Sequence, residues 1–290
     1  MTTARLAGRV AIVTGASRGL GKAIAIALAQ DGAAVAVAAR SEQVSDERLP
    51  GTIHETAAAI SAAGGRAVAV PCDVTQDDDL VRLVEQTRTT FGPIDLLVNN
   101  AALTLPARRP AAAPSGSEAT PPTPATPPTS AVVLPMSVRG YRKHFEVGVF
   151  AAYRLSQLVA SDLTELRRGA IVNISSDASR RPGPGPYADS GVPMLAAYGG
   201  NKAALEHLTQ CVAYELAPYD VAVNALLPSR PVESPGLKGA SPDIVDAEDP
   251  ADFAEAVVQL SLVTPSTRTG QVMYHHDVLF PDRPARGWVG

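Results

Sequence analysis

Tyr198 and Lys202 stand four residues apart in the stretch YGGNK. On a helix that spacing places one side chain directly above the other, because a turn takes about 3.6 residues. An ammonium then lies beside a phenol. A tyrosine with its ordinary pKa of about 10 is a poor proton donor or acceptor at neutral pH unless a neighbouring cation favours its anion. The chain has seven tyrosines and only four lysines, Lys22, Lys143, Lys202 and Lys238, and Tyr198 alone has a lysine four residues on. Tyr187 is the rival, but position 191 is glycine and brings no charge. The pair is chemistry or coincidence according to the elements that position it.

Short apolar runs rich in Val, Ile and Ala alternate with stretches of helical period. The runs at 9–15, 33–39, 66–72, 94–100, 169–175 and 221–228 read as strands buried on both faces. Helices are expected over 20–32, 51–65, 77–92, 136–166 and 196–220, with stops at Gly32, Gly64 and Gly92. Strict strand-helix alternation predicts a single α/β domain spanning 1–290, built on a doubly wound parallel sheet of about seven strands with helices on both faces. Ligands then collect at the carboxyl ends of the strands. Residues 104–135 break the pattern with nine prolines in an Ala/Ser/Thr background, which predicts a flexible, polyproline-like insertion. It reads either as a lid over substrate or as a tolerated surface expansion.

Composition excludes several roles. A net charge of -4, a pI near 5.8 and 4% aromatic residues leave no basic stripe or stacking platform for nucleic acid. No apolar run has membrane-spanning length, and the N-terminus enters a strand pattern with two arginines on the way, so a cytoplasmic protein is expected. Cys72 and Cys211 share no motif and read as buried small hydrophobes. His275 and His276 are adjacent and, on a strand, would face opposite sides, so no metal site is expected.

Gly15, Gly19 and Gly21 in VTGASRGLG lie between the first strand and the first helix. Glycines there allow a tight turn and bring backbone N–H groups at a helix N-terminus close to a pyrophosphate. Charge at the end of the second strand selects the nucleotide: a carboxylate holds a ribose hydroxyl, whereas arginine accommodates a 2'-phosphate. Arg40 and Ser41 occupy that end, and Arg18 lies within the glycine turn. Two guanidiniums can clamp a phosphate, so NADP(H) is favoured over NAD(H). Two solvated surface arginines are the competing reading.

Taken together, TGASRGLG, CDV with Asp73, NNAA at 99–102, NISS with Ser176, and Tyr198 with Lys202 resemble the short-chain dehydrogenase/reductase family, over about residues 8 to 275 outside the Pro-rich segment. The stretch RLPGTIHETAAAI is similar to an oxoacyl-reductase-like and hydroxysteroid-dehydrogenase-like branch. The resemblance implies a Rossmann-type fold and an NADP(H)-dependent interconversion of a carbonyl and a secondary alcohol. It places the cofactor against Gly15, Ser17, Arg18, Gly19, Leu20 and Gly21, then Arg40 and Ser41, Asp73 and Val74, and Asn100 and Ala101, with Tyr198 and Lys202 at the reacting end. Tyr198 is the implied acid/base, Lys202 its charged neighbour and ribose holder, and Ser176 the donor to the carbonyl oxygen, with Ser175 as fallback. A homodimer or homotetramer is implied, and Phe145, Val149, Ala152 and Leu155 fit either its packing face or a core-facing stripe.

Several positions depart from the family's pattern. Gly148 stands where an asparagine is usual, Ala102 ends the NNAG-like motif, Asn201 replaces the serine before the lysine, and Ser229 follows Pro228 in place of glycine. Gly148 and the insertion motivate an alternative: a catalytically impaired NADP(H)-binding sensor or scaffold. Dehydratase or epimerase chemistry on the same scaffold is a further one. The loop between Ser176 and Tyr198, with Pro182, Pro184, Pro186 and Tyr187, is expected to form the substrate rim together with residues 229–248.

Overall fold

In the computed structural model, residues 4–103, 136–185, 195–240 and 246–282 are described. Their strands and helices follow in the order β1 (Val10–Thr14), α1 (Gly19–Gln30), β2 (Ala34–Ala39), α2 (Ile53–Ala62), β3 (Arg66–Pro71), α3 (Asp77–Phe91) and β4 (Leu96–Asn99). Beyond the insertion come α4 (Val138–Phe145), a π-helical turn (Glu146–Phe150), α5 (Ala151–Leu166), β5 (Gly169–Ile174), α6 (Leu195–Leu216) and β6 (Val221–Leu227). The chain continues with α7 (Pro235–Ala240), α8 (Pro250–Leu260), β7 (Val272–Tyr274) and α9 (His275–Leu279). All seven strands are parallel, in the order β3-β2-β1-β4-β5-β6-β7. This is the doubly wound Rossmann-type sheet that the alternation predicts.

Side chains alternate between two core layers. Leu96 and Val98 of β4 pack with Ile24 and Leu28 of α1 and Phe253 and Val257 of α8, whereas Leu97 packs with Leu83 of α3 and Leu155 and Val159 of α5. Burial on both faces explains why β1, β2, β5 and β6 read as continuous apolar runs. The expectation fails at β3, where only Val70 is fully buried, because β3 is an edge strand and lacks a neighbour on one side.

The predicted helix over 136–166 is interrupted by the π-turn at Glu146–Phe150. Two residues of the proposed packing stripe are core residues: Ala152 and Leu155 are buried, and the exposed face instead carries Phe150 and Tyr153. Cys72 is buried as expected, but Cys211 is exposed on α6. His275 and His276 belong to α9 rather than to a strand, so they do not face opposite ways. The insertion 104–135 and Tyr187 lie outside the described residues.

Candidate active site

The sheet order reverses between β1 and β4, and a cavity of about 380 Å³ opens there at the strands' carboxyl ends. It is lined by the glycine turn after β1, by Ala39 to Ser41 after β2, by Cys72 to Val74 after β3 and by Asn100 to Leu103 after β4. Ile174 to Ser176, Tyr198 and Lys202 close the other end. Every residue named from the sequence as catalytic or cofactor-holding therefore lines one cavity.

Gly15 has a φ of 66°, a left-handed conformation that favours glycine, and a Cβ there would lie 2.9 Å from Asn100 Nδ2. A Cβ on Gly21 would lie 2.3 Å from Gly15 O, so the turn can form only with glycine at both positions. Helix α1 starts at Gly19 with no side-chain cap and no acidic residue in its first turn. Its first N–H groups, on cavity-lining Gly19, Leu20 and Gly21, and the positive end of its dipole are thus left for an anion. The Asn100 amide is spent on the turn itself, donating to Thr14 O at 2.9 Å, while Thr14 Oγ1 accepts from the N–H groups of Asn100 and Ala101.

Arg18 Nη2 donates to Ser41 Oγ at 2.5 Å and to Gly51 O at 3.1 Å, which carries its guanidinium to the end of β2. Burial lowers its pKa; Asp46 opposes that shift, and the like charge of Arg40 adds to it. Arg40 is exposed at the cavity rim. Ser45, Asp46 and Leu49 also line this end, and the sequence carried no periodic signal for them because they belong to a long irregular loop. Burial pushes the Asp73 carboxyl up, but the N–H and hydroxyl of Thr75, both donating to Oδ1, hold it below the usual range.

At the reacting end, helix α6 does what the spacing predicts. Lys202 is 2% exposed; its Nζ donates to Ile174 O at 2.6 Å and lies 5.8 Å from the centre of the Tyr198 ring. Burial pushes Lys202 down to about 8, opposed by the charge of Glu206. Tyr198 is raised by burial, and a hydrogen bond with Ser176 offsets part of that shift. His144 of α4 meets the Tyr198 ring edge-on and is held neutral by burial and by Lys202. Ser175, the fallback, is committed elsewhere: it is buried and donates to Glu206 Oε1 at 2.6 Å. Glu206 was missed in the sequence, although its place one turn beyond Lys202 was readable.

Gly148 and Asn201 explain one another. Gly148 is buried in the π-turn, and a Cβ there would lie 2.2 Å from Asn201 Oδ1. Asn201 is itself buried, and its Nδ2 donates to Ala197 O and Tyr198 O, both at 2.8 Å. An amide from α6 thus fills the space that a side chain at 148 would need.

Glu248, His275 and His276 each bring one donor atom within 4.8 Å of the others, a cluster the sequence did not suggest. The Ser229 N–H donates to His275 Nδ1 at 2.9 Å, so in the neutral ring the proton sits on Nε2. The nitrogen facing Glu248 at 3.3 Å is therefore an N–H, not a ligand lone pair, and α9 is tied to Ser229 by the bond to His275 Nδ1 and by the His276 N–H donating to Ser229 Oγ at 3.0 Å.

The family model described as short chain dehydrogenase matches residues 9–240. An uncharacterised oxidoreductase of Methylorubrum extorquens is 33% identical over 269 residues, covering 92% of this chain and 87% of its own. The 7alpha-hydroxysteroid dehydrogenase of Escherichia coli is 29% identical, covering 98% and 91%. A solved 7alpha-hydroxysteroid dehydrogenase complexed with NADH and 7-oxo glycochenodeoxycholic acid superposes with a TM-score of 0.72 at 27% identity, covering 94% of each chain.

Gly148→Ala is expected to lower stability by about 1–3 kcal/mol through overpacking, and Gly148→Asn by at least as much. Asn201→Ala combined with Gly148→Ala is expected to recover most of that loss in urea unfolding; strictly additive losses would mean the two residues do not share the space.

Proposed function

Because the chain belongs to the short-chain dehydrogenase family of oxidoreductases, which act on hydroxyl and carbonyl groups with a nicotinamide cofactor, we propose that it interconverts a ketone and a secondary alcohol with NADP(H), using Tyr198 as acid/base. The observation that carries this reading is the buried Lys202 ammonium, held against Ile174 O and beside Tyr198, in the cavity that also receives the free N-terminus of α1.

The residues fit a dinucleotide. The open N–H groups of Gly19, Leu20 and Gly21 suit a pyrophosphate, Asp73 and Val74 suit an adenine, and Lys202 at the other end of the cavity would hold ribose hydroxyls. Arg18, Ser41 and Arg40 together form a cationic end that suits a 2'-phosphate. When bound, the nicotinamide supplies or accepts the hydride.

In the reduction direction the Tyr198 hydroxyl gives its proton to the substrate oxygen as negative charge develops there. Ser176 donates to the same oxygen and stabilises that charge. The Lys202 cation then favours the phenolate left behind, and in oxidation the phenolate takes the proton back. Asn201 fills the space at Gly148, which accounts for the packing of that departure; the insertion, the other ground for an impaired sensor, lies outside the described residues.

A homodimer or homotetramer is part of the proposal. Phe150 and Tyr153 stand on one face of the α5 region and are 62% and 49% exposed, and Tyr214 of α6 is 85% exposed. Such aromatic surface suits a copy of the same chain. Phe150→Asp is expected to shift sedimentation towards monomer; an unchanged profile would place the contact elsewhere.

With NADPH and a panel of ketones, Tyr198→Phe is expected to lose about 10²–10⁴-fold in kcat while NADPH affinity stays within about two-fold. Tight NADPH binding with no oxidation across the panel in the parent protein would favour the sensor instead, and product without net cofactor turnover would point to dehydratase or epimerase chemistry. Since Lys202 loses its charge as pH rises through about 8, turnover is expected to fall on that side of the profile. Arg40→Ala is expected to weaken NADPH by about ten-fold and leave NADH unchanged; equal effects on both cofactors would remove the 2'-phosphate assignment.

A further inference from the structure

We propose that Glu206 is a positioning residue: its carboxylate fastens the turn that presents Ser176 to Tyr198 and faces the Lys202 ammonium with the opposite charge. The inference rests on the reaction proposed above but can be read without it. Glu206 follows Lys202 by one turn of α6 and Tyr198 by two, so the three side chains leave the helix on neighbouring lines. Its Oε1 accepts from Ser175 Oγ at 2.6 Å and from Ser179 Oγ at 2.7 Å. Ser175 precedes Ser176, and Ser179 lies within the short 3₁₀ turn Asp177–Arg180 that follows it, so the two serines bracket Ser176 and the start of that turn. One carboxylate oxygen therefore holds both ends of the segment that carries the catalytic hydroxyl.

The Glu206 side chain is only 15% exposed, and a carboxylate so placed needs hydrogen bonds and a countercharge. Arg180 Nη1, at 3.4 Å on a side chain 42% exposed, is a weak partner. The buried cation on the same helix is Lys202, whose protonation Glu206 favours against burial. The other groups around the pair are Tyr198 on α6, His144 on α4 and Tyr274 on β7. Tyr274 donates to Asp177 Oδ1 at 2.6 Å and Arg181 to Asp177 Oδ2 at 2.9 Å, so the Asp177 carboxylate is engaged by other groups. Burial and Lys202 lower the His144 pKa and Tyr274 is pushed up to about 12, so neither brings a negative charge to the pair, and Glu206 is the carboxylate whose charge favours the Lys202 ammonium.

Three variants separate the two roles. Glu206→Gln keeps an oxygen that accepts from both serines and loses the charge. Glu206→Ala loses both. Ser175→Ala with Ser179→Ala keeps the charge and releases the turn. In Glu206→Gln the alkaline limb of kcat/KM is expected to move down by roughly 0.7 pH unit, so that its deficit grows from under about two-fold at pH 7 to about five-fold well above pH 8. Glu206→Ala is expected to show the same shift and an additional loss of about 10–100-fold in kcat, with NADPH affinity unchanged. The serine pair is expected to lose kcat without moving the limb.

Because the chain has four lysines, the Lys202 ammonium can also be titrated directly by carbon NMR of the lysine Cε, with Lys202→Met as the assignment control and no need for turnover. Its midpoint is expected to drop in Glu206→Gln and to stay in the serine pair. A Lys202 midpoint unmoved in Glu206→Gln would overturn the electrostatic role, and parental kcat in the serine pair would overturn the positioning role. If the parent reduces no carbonyl compound, the reductase reading fails on its own, and the Lys202 midpoint still decides the Glu206 charge. Should Glu206→Ala not fold, the glutamine and serine variants carry the test.

Discussion

The site depends on keeping a lysine charge out of water. An ammonium 2% exposed has lost nearly all its hydration, a loss that costs several kcal/mol unless other groups replace the water. Two groups meet it, the carbonyl of Ile174 at 2.6 Å and the face of the Tyr198 ring, and the charge of Glu206 favours it from one helical turn away. The replacement is partial, which is why the group falls to about 8 rather than keeping the ordinary lysine value. In the proposed reaction, a cation so close to neutrality would support a neighbouring phenolate and still exchange its own proton. The Ile174 carbonyl is available because β5 ends there, one residue before the serines, so the sheet's edge and the chemistry share a boundary.

The sheet holds that boundary in place from both ends. At the amino ends of the strands, Asp95 is 1% exposed and accepts from the Val10 N–H at 2.9 Å, from Arg9 at 2.5 Å and from Arg168 at 3.1 Å. It joins β1 to the approaches of β4 and β5. Near the carboxyl ends, the Asn99 amide donates to Asn173, and the Asn173 amide donates to Thr209 of α6, a buried polar chain beneath the cavity. Such a chain is favourable only when each member is satisfied, and it fixes the depth at which α6 lies on the sheet. That depth decides whether Lys202 meets the end of β5.

The parts of this arrangement that were legible in the sequence are those with a local cause. Apolar runs marked the central strands because both of their faces are covered, and Gly32, Gly64 and Gly92, all at positive φ, marked helix ends. The Tyr198–Lys202 pair was legible because helical spacing alone brings the two together. Edge position is not local, so β3 looked like its buried neighbours. The π-turn at Glu146–Phe150 was hidden because nothing in EVGVF distinguishes it from α-helix. Gly148 and Asn201 each looked like a defect when taken singly; only their contact across two helices shows one filling the space of the other. His275 and His276 were misplaced because the strand before them is only three residues long.

The choice between two adjacent hydroxyls follows from the same geometry. Ser176 is extended, with φ -158° and ψ 149°, and consecutive residues of an extended chain point to opposite sides. Ser175 lies inward, its N–H on Leu226 O at 2.8 Å and its hydroxyl on Glu206. Ser176 must then face outward, into the cavity and onto Tyr198. In the reaction proposed here, a carboxylate two turns from the tyrosine would thereby select which serine meets the substrate, and the same carboxylate favours the Lys202 ammonium beside the tyrosine.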